Sequence, residues 1–348
     1  MLSFRRHLIL SNSPIKAALS QLNELAADAI LFVVDENEKL LGSLTDGDVR
    51  RGFINGLTLE SVVNDFSQLN PKFLQRGSYT IEEVINCRKN DLKIIPVLSK
   101  SGRIVNILNF RFLKSYLPID AVLMAGGRGE RLKPLTDNTP KPLLTVGDKP
   151  IIEHNIDRLI SYGVDDIWLS VRYLGNQIED YFGDGCDKNI NINYVWENEP
   201  LGTLGAVSKI EDFQHDYILV SNSDILTNMD YEAFFLDFIN SDAALSVVTI
   251  PYIVNVPYAV LETEDNQIKS FKEKPTYTYY SNGGIYLLKK AILELIPKGK
   301  FYNATDLMEL LIEKGSNVRS YPLRSYWLDI GRPEDLKKAQ EDICHIKF

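Results

Sequence analysis

Residues 120–145 read DAVLMAGGRGERLKPLTDNTPKPLLT, and three features follow one another within them. Ala121 to Met124 form an apolar run short enough for a buried strand. Ala125, Gly126, Gly127, Arg128 and Gly129 then make a turn whose glycines remove the side chains that keep a backbone away from a ligand. Arg131 and Lys133 come directly after it, and Lys141 sits between Pro140 and Pro142. Bare backbone N–H groups with several cations close behind suit a polyphosphate. A turn that only reverses the chain would use the same glycines; the basic residues are what favour phosphate. The Gly-Lys-Ser/Thr ending of a P-loop is absent, and the tail is too basic for a dinucleotide fingerprint.

Downstream, strand and helix patterns alternate. Residues 150–161 are amphipathic, with Ile152, Ile156, Leu159 and Ile160 on one face and Gly163 as the stop. Strands are expected over 166–171, 190–196 and 217–220, and a helix over 177–182. This alternation predicts an α/β domain, a Rossmann-like, mostly parallel sheet covered by helices on both faces. Ligands of such sheets bind beyond the carboxyl ends of the strands, where the Gly126 turn lies.

Upstream, the pattern changes. A helix over 14–27, strands over 29–34 and 39–44, and a helix opening at Thr45-Asp46-Gly47-Asp48 form one unit. A weaker copy follows about sixty residues later, which makes an internal repeat. Its elements are a helix over 80–89, strands over 94–98 and 103–108, and a helix over 109–116. Pro118 turns Leu117 away from helical geometry, so an α+β regulatory domain over 1–117 is expected to precede the α/β domain over 118–348.

The totals narrow the function class. With 348 residues, 45% hydrophobic and 24% charged, the chain is of ordinary globular composition. A net charge of -9 argues against broad binding to nucleic acid or anionic membrane, so a phosphate site has to be a local basic pocket. Cys87, Cys186 and Cys344 are too scattered for a metal knuckle or a disulfide framework. No signal peptide or membrane span is legible, and a cytoplasmic location is expected. His154 and His215 stand alone and suggest no chemistry.

The string GGRGERLKPLT with PKPLL resembles the signature of the sugar-1-phosphate nucleotidyltransferases, and later segments add to the likeness. These are Leu201-Gly202-Thr203-Leu204-Gly205-Ala206, Asp224 at the end of a strand, Phe271-Lys272-Glu273-Lys274-Pro275, Asn282-Gly283-Gly284-Ile285-Tyr286 and Trp327-Leu328-Asp329-Ile330-Gly331. The resemblance implies roles for each. Ala125, Gly126, Gly127 and Gly129 would meet the triphosphate, and Gly202, Thr203 and Gly205 the base. Arg131 would hold the β,γ-phosphates, Lys141 the α-phosphate and Lys274 the sugar phosphate. Glu273 and Asn282 would meet the sugar, and Asp224 and Asp329 would bind Mg2+, which prefers carboxylate, phosphate and water oxygens. Two departures stand out: Ser223 replaces a frequent glycine, and Asn303 replaces a sugar-binding glutamate.

The unit ILFVVDENEKLLGSLTDGDVRR resembles a CBS motif, and the repeat a CBS domain pair. That likeness implies an adenine-nucleotide effector held by Thr45 and Asp48, and a homo-oligomer. Thr45 and Asp48 as a plain helix cap is the alternative. In the second unit Asn109 and Phe112 take their places, and Phe112 cannot accept from a ribose hydroxyl. Together the resemblances imply transfer of a nucleoside monophosphate from an NTP to a sugar 1-phosphate, for bacterial surface glycans. GTP is favoured over UTP, dTTP and CTP. The other classes are a non-catalytic nucleotide sensor and a Rossmann-type oxidoreductase, which the basic residues after the turn disfavour.

Overall fold

The computed structural model describes residues 4–346. The chain forms two compact units. The first takes the residues up to Pro118 together with 160–165 and 185–191; the second takes Ile119–Leu159, Asp166–Asp184 and the chain from Ile192.

In the first unit, strands Leu8–Leu10, Ile30–Val34, Leu40–Thr45 and Gln68–Leu69 form one sheet in that order. Strands Leu74–Gln75, Ile94–Leu98 and Ile104–Asn109 form a second sheet. Helix Ile15–Leu25 buries Ile15, Ala18, Leu22 and Leu25, one face of a 3.6-residue repeat, against Leu31, Val33 and Leu44. Thr80 caps helix Ile81–Lys89 by accepting from the Glu83 N–H. The expected repeat is present up to its last element. Residues 109–116 do not form a helix; they make one turn and then run without regular structure. Asn109 Oδ1 accepts from the Arg111 N–H, and the Lys114 and Leu117 N–H groups donate to the Ser161 and Tyr162 carbonyls. The Leu113 N–H still closes one turn on the Asn109 carbonyl, and the Lys114 N–H, which would continue the helix, is spent on Ser161 instead.

The second unit is built on a seven-stranded sheet. Its order is Asn191–Trp196, Asp166–Val171, Ile119–Met124, Tyr217–Asn222, Thr276–Lys289, Leu245–Asn255 and Val318–Pro322. Thr276–Lys289 runs antiparallel to both neighbours, while Ile119–Met124 is parallel to the strands on either side of it. Central strands of this kind are covered on both faces, which explains why Ile119–Leu123 is buried at every position instead of alternating. Leu245–Asn255 and Thr276–Lys289 outrun the sheet. Their inner halves are buried, and their outer halves continue as an exposed ribbon bearing Tyr252, Tyr279 and Tyr280. A short antiparallel pair, Ile225–Thr227 with Trp327–Asp329, lies after the Tyr217–Asn222 strand and joins residues far apart in sequence.

Candidate active site

The glycine turn follows the carboxyl end of strand Ile119–Met124, beside the end of Tyr217–Asn222. Ala125 still belongs to the sheet in one respect: its N–H donates to the Ser170 carbonyl at 2.8 Å. Gly127 is exposed and has nothing within 4 Å of where a Cβ would stand. Gly129 is required twice over. Its φ is 63°, and a Cβ there would lie 2.9 Å from Lys141 Cβ. The turn is thus folded directly over Lys141. Thr136 Oγ1 donates to the Gly129 carbonyl at 2.9 Å, and the Tyr173 hydroxyl donates to the Asp137 carbonyl at 2.9 Å, which fix the basic loop from both sides.

Lys141 is buried, and its ammonium forms an ion pair with Asp224 Oδ2. Asp224 leads into strand Ile225–Thr227, where Ile225 is paired with Asp329 and the Ile330 N–H donates to the Asp224 carbonyl at 3.0 Å. That pairing sets the two carboxylates side by side. Burial and then the charge of Asp224 raise the Asp329 carboxyl above its ordinary range, against the opposing pull of Lys141 and Arg131. The Arg131 guanidinium lies by Gly331, where a Cβ would come within 3.4 Å of it. Lys141, Asp224, Asp329 and Arg131 are therefore one electrostatic cluster. Ser223 explains its departure from glycine: buried, it donates its hydroxyl to the Met124 carbonyl at 2.7 Å and ties the ends of two central strands together.

The donor set suits a hard divalent cation. Asp224 Oδ1 is buried with no hydrogen-bond partner, and Asp329 is disfavoured as an anion. An oxygen-seeking ion between the two would satisfy the first and discharge the second.

The other predicted residues are less closely drawn in. Gly202 (φ 70°) opens a short helix that Gly205 closes, with Thr203 half-buried between them. Protein backbone fills the side-chain direction of both glycines: a Cβ would come within 2.8 Å of the Tyr302 carbonyl at Gly202 and 2.2 Å of the Lys300 carbonyl at Gly205. Asn303 stands at the start of helix Ala304–Glu313, beside Gly202. Asn282 uses its amide internally, donating to the Tyr286 hydroxyl and accepting from the Gly284 N–H. Glu273 and Lys274 lie on an exposed turn entering the ribbon, Lys274 with φ 44°, and Lys274 makes no ion pair among the described residues.

Glu197 was not among the expected residues. It is buried, and its Oε2 accepts from the Leu201 N–H at 2.9 Å while Oε1 accepts from the Ser170 hydroxyl. A Cβ on Gly126 would lie 2.9 Å from Oε1, so Glu197 links the glycine turn to the Gly202 helix. An acid placed directly after a strand was the available signal.

In the first unit, Thr45 and Asp48 close on each other. The Thr45 N–H and hydroxyl donate to Asp48 Oδ2 at 2.8 and 2.6 Å, and Arg51 pairs with Oδ1. A cavity of about 410 Å³ in this unit lies instead beside Asn109 and Phe112, with Phe4, His7, Asp28 and Tyr116 also lining it.

Residues 120–345 match the Nucleotidyl transferase family model, and residues 8–55 match the CBS domain model. The bifunctional protein GlmU of Methanocaldococcus jannaschii is 36% identical over 230 residues, 64% of this chain and 54% of that protein, so the chain spans about half of that relative's length. The D-glycero-alpha-D-manno-heptose 1-phosphate guanylyltransferase of Aneurinibacillus thermoaerophilus is 32% identical over 231 residues, 65% of this chain and 99% of that one. A Bacillus anthracis structure assigned as a glucose-1-phosphate thymidylyltransferase shares the fold, with a TM-score of 0.53 at 23% identity over 66% of this chain and 97% of its own.

Proposed function

Because this chain belongs to the nucleotidyl transferase family and carries a CBS domain ahead of the matched region, we propose that it joins a nucleoside triphosphate to a sugar 1-phosphate. The observation that carries this reading is the cluster of Lys141, Asp224, Asp329 and Arg131 beneath an exposed glycine turn at the carboxyl ends of the central strands. An oxygen of the sugar phosphate attacks the α-phosphorus. The bond from that phosphorus to the bridging oxygen breaks, and pyrophosphate leaves from the opposite side. The nucleophile is already an anion, so no general base is required, and the work is positioning and charge neutralisation.

In this reading Arg131 holds the leaving β,γ-phosphates. Lys141 exchanges Asp224 for the α-phosphate, and Lys274 presents the sugar phosphate from the ribbon. Gly126 and Gly127 offer N–H groups to the triphosphate, and Glu273 and Asn282 meet the sugar. When bound between Asp224 and Asp329, Mg2+ supplies charge neutralisation for the phosphate oxygens. Guanine is the favoured base, supported by the guanylyltransferase from Aneurinibacillus thermoaerophilus. For the amino-terminal unit we propose an adenine-nucleotide effector. Since Thr45 and Asp48 are engaged with each other, the cavity beside Asn109 and Phe112 is the better-shaped place to look for it first.

The test is pyrophosphate release with Mg2+, crossing GTP, UTP, dTTP and CTP with a panel of sugar 1-phosphates. Release that needs one triphosphate and one sugar phosphate together is expected, with GTP the active base. Triphosphate binding with no release across the panel would favour the nucleotide-sensor reading instead.

A further inference from the structure

At the opposite end of the same three strands lies a second cluster. Asp120 is the second residue of Ile119–Met124, Asp166 the first of Asp166–Val171, and His215 shortly precedes Tyr217–Asn222. Parallel pairing of these strands brings their amino ends level, Ile167 with Ala121 and Ile218 with Asp120. One donor atom from each of the three side chains lies within 4.8 Å of the other two. Asp120 lies four residues before the end of its strand and Asp166 five before the end of its own, which puts this cluster roughly 13–17 Å from the carboxyl ends.

All three residues are buried, Asp120 at 0%, Asp166 at 5% and His215 at 7% exposure. The His215 backbone N–H donates to Asp120 Oδ2 at 2.8 Å. Asp120 Oδ1 and His215 Nδ1, by contrast, have no hydrogen-bond partner. Both are strong polar atoms withdrawn from water, an arrangement that folded proteins avoid unless something answers it. A proton on the imidazole does not complete the set. Nδ1 lies 3.4 Å from Oδ2 without the alignment of a hydrogen bond, and Oδ1 would stay bare. Lys290, whose N–H bonds the Asp216 carbonyl, spends its ammonium on the Phe213 carbonyl at 2.8 Å.

We infer that Asp120, Asp166 and His215 form a structural site for a divalent transition ion of the zinc class, separate from the Asp224–Asp329 pair. Carboxylate oxygens and an imidazole nitrogen are donors that Zn2+ accepts, and a water would complete its tetrahedral shell beside these three, where Ca2+ would need six to eight oxygens. Mg2+ prefers oxygen alone and keeps its water, so a closed pocket with an imidazole disfavours it. The ion would fasten the amino ends of three adjacent strands.

The experiment uses the full chain carrying Asp224→Asn and Asp329→Asn, with the exposed thiols of Cys186 and Cys344 alkylated. The protein is stripped with chelator, dialysed against Zn2+, and its metal counted by mass spectrometry. One retained ion per chain is expected, with a rise in Tm on zinc addition. Adding His215→Gln, or independently Asp166→Asn should the first variant fold poorly, is expected to weaken zinc at least about a hundredfold, beyond what loss of an outer partner causes. A folded protein that retains no zinc and shows no Tm shift overturns the inference. So does a retained ion whose affinity neither substitution changes.

Discussion

The two ends of the central sheet hold similar residues under different conditions. At the carboxyl ends, Asp224 and Asp329 share space with Lys141 and Arg131 under a glycine turn that leaves Gly127 open to solvent. At the amino ends, Asp120, Asp166 and His215 are sealed in, and Asp120 Oδ1 and His215 Nδ1 have no hydrogen-bond partner. The difference teaches that acid groups alone do not mark a reaction centre. Cations, solvent access and backbone free of side chains make one end suited to handling a charged substrate. Closure makes the other suited to holding something permanently.

The sharpest way to break this contrast is to remove charge from the open end. Lys141→Ala or Asp224→Ala is expected to lower turnover at least about a hundredfold while circular dichroism and Tm show an intact fold. Near-normal pyrophosphate release in either variant would reduce the open end to another structural cluster.

Next in size is the pH dependence of Asp329. Its native carboxyl sits above the ordinary range, chiefly through burial and then through Asp224. The metal-free fold therefore holds this proton more tightly than the unfolded chain does. The stability it contributes is fully present below the ordinary carboxylate range and is lost as pH rises through the raised one. Protons and Mg2+ compete for the same oxygens, so the apparent Mg2+ affinity should fall as pH drops through that raised range. Asp329→Asn should flatten the dependence. A variant that keeps the wild-type profile would assign the pH effect elsewhere.

Gly129→Ala forces a side chain into a φ of 63° and against Lys141 Cβ. A cost of about 1–3 kcal/mol in denaturant unfolding is expected, with turnover falling as the loop shifts. An unchanged unfolding midpoint would show that the turn can relax away from Lys141. The smallest effect belongs to Ser223→Ala, which removes the hydroxyl bond to the Met124 carbonyl. It should cost about 1 kcal/mol, read as a small drop in Tm with little change in rate; a large rate effect would make Ser223 part of the chemistry.

Much of the second unit was legible because strand and helix periods are local. The strand over 166–171 stands where its apolar run predicted it. Lys141 and Asp224 were legible as motif positions, but their ion pair was not, since it depends on the turn folding over Lys141. The residues that sequence reasoning passed over share one property: they act across strands. His215 looks isolated in the chain because its neighbours, Asp120 and Asp166, arrive through sheet register. Glu197 draws no notice in the chain until the Leu201 N–H and the Ser170 hydroxyl are seen to converge on it. The expected helix over 109–116 stops after one turn for a similar reason, the Lys114 N–H being captured by the Ser161 carbonyl.

The pairing of Ile225–Thr227 with Trp327–Asp329 also fixes an order in time. At synthesis rates of about 5–20 residues per second, Asp224 is made several seconds before Asp329. The glycine turn, Lys141 and Asp224 can assemble in that interval, with one acid already neutralised by the ammonium beside it. The second acid is delivered by a strand made much later, which zips onto the first. A half-made copy thus holds a basic loop without the paired acids, and the complete arrangement exists only once that late strand has docked.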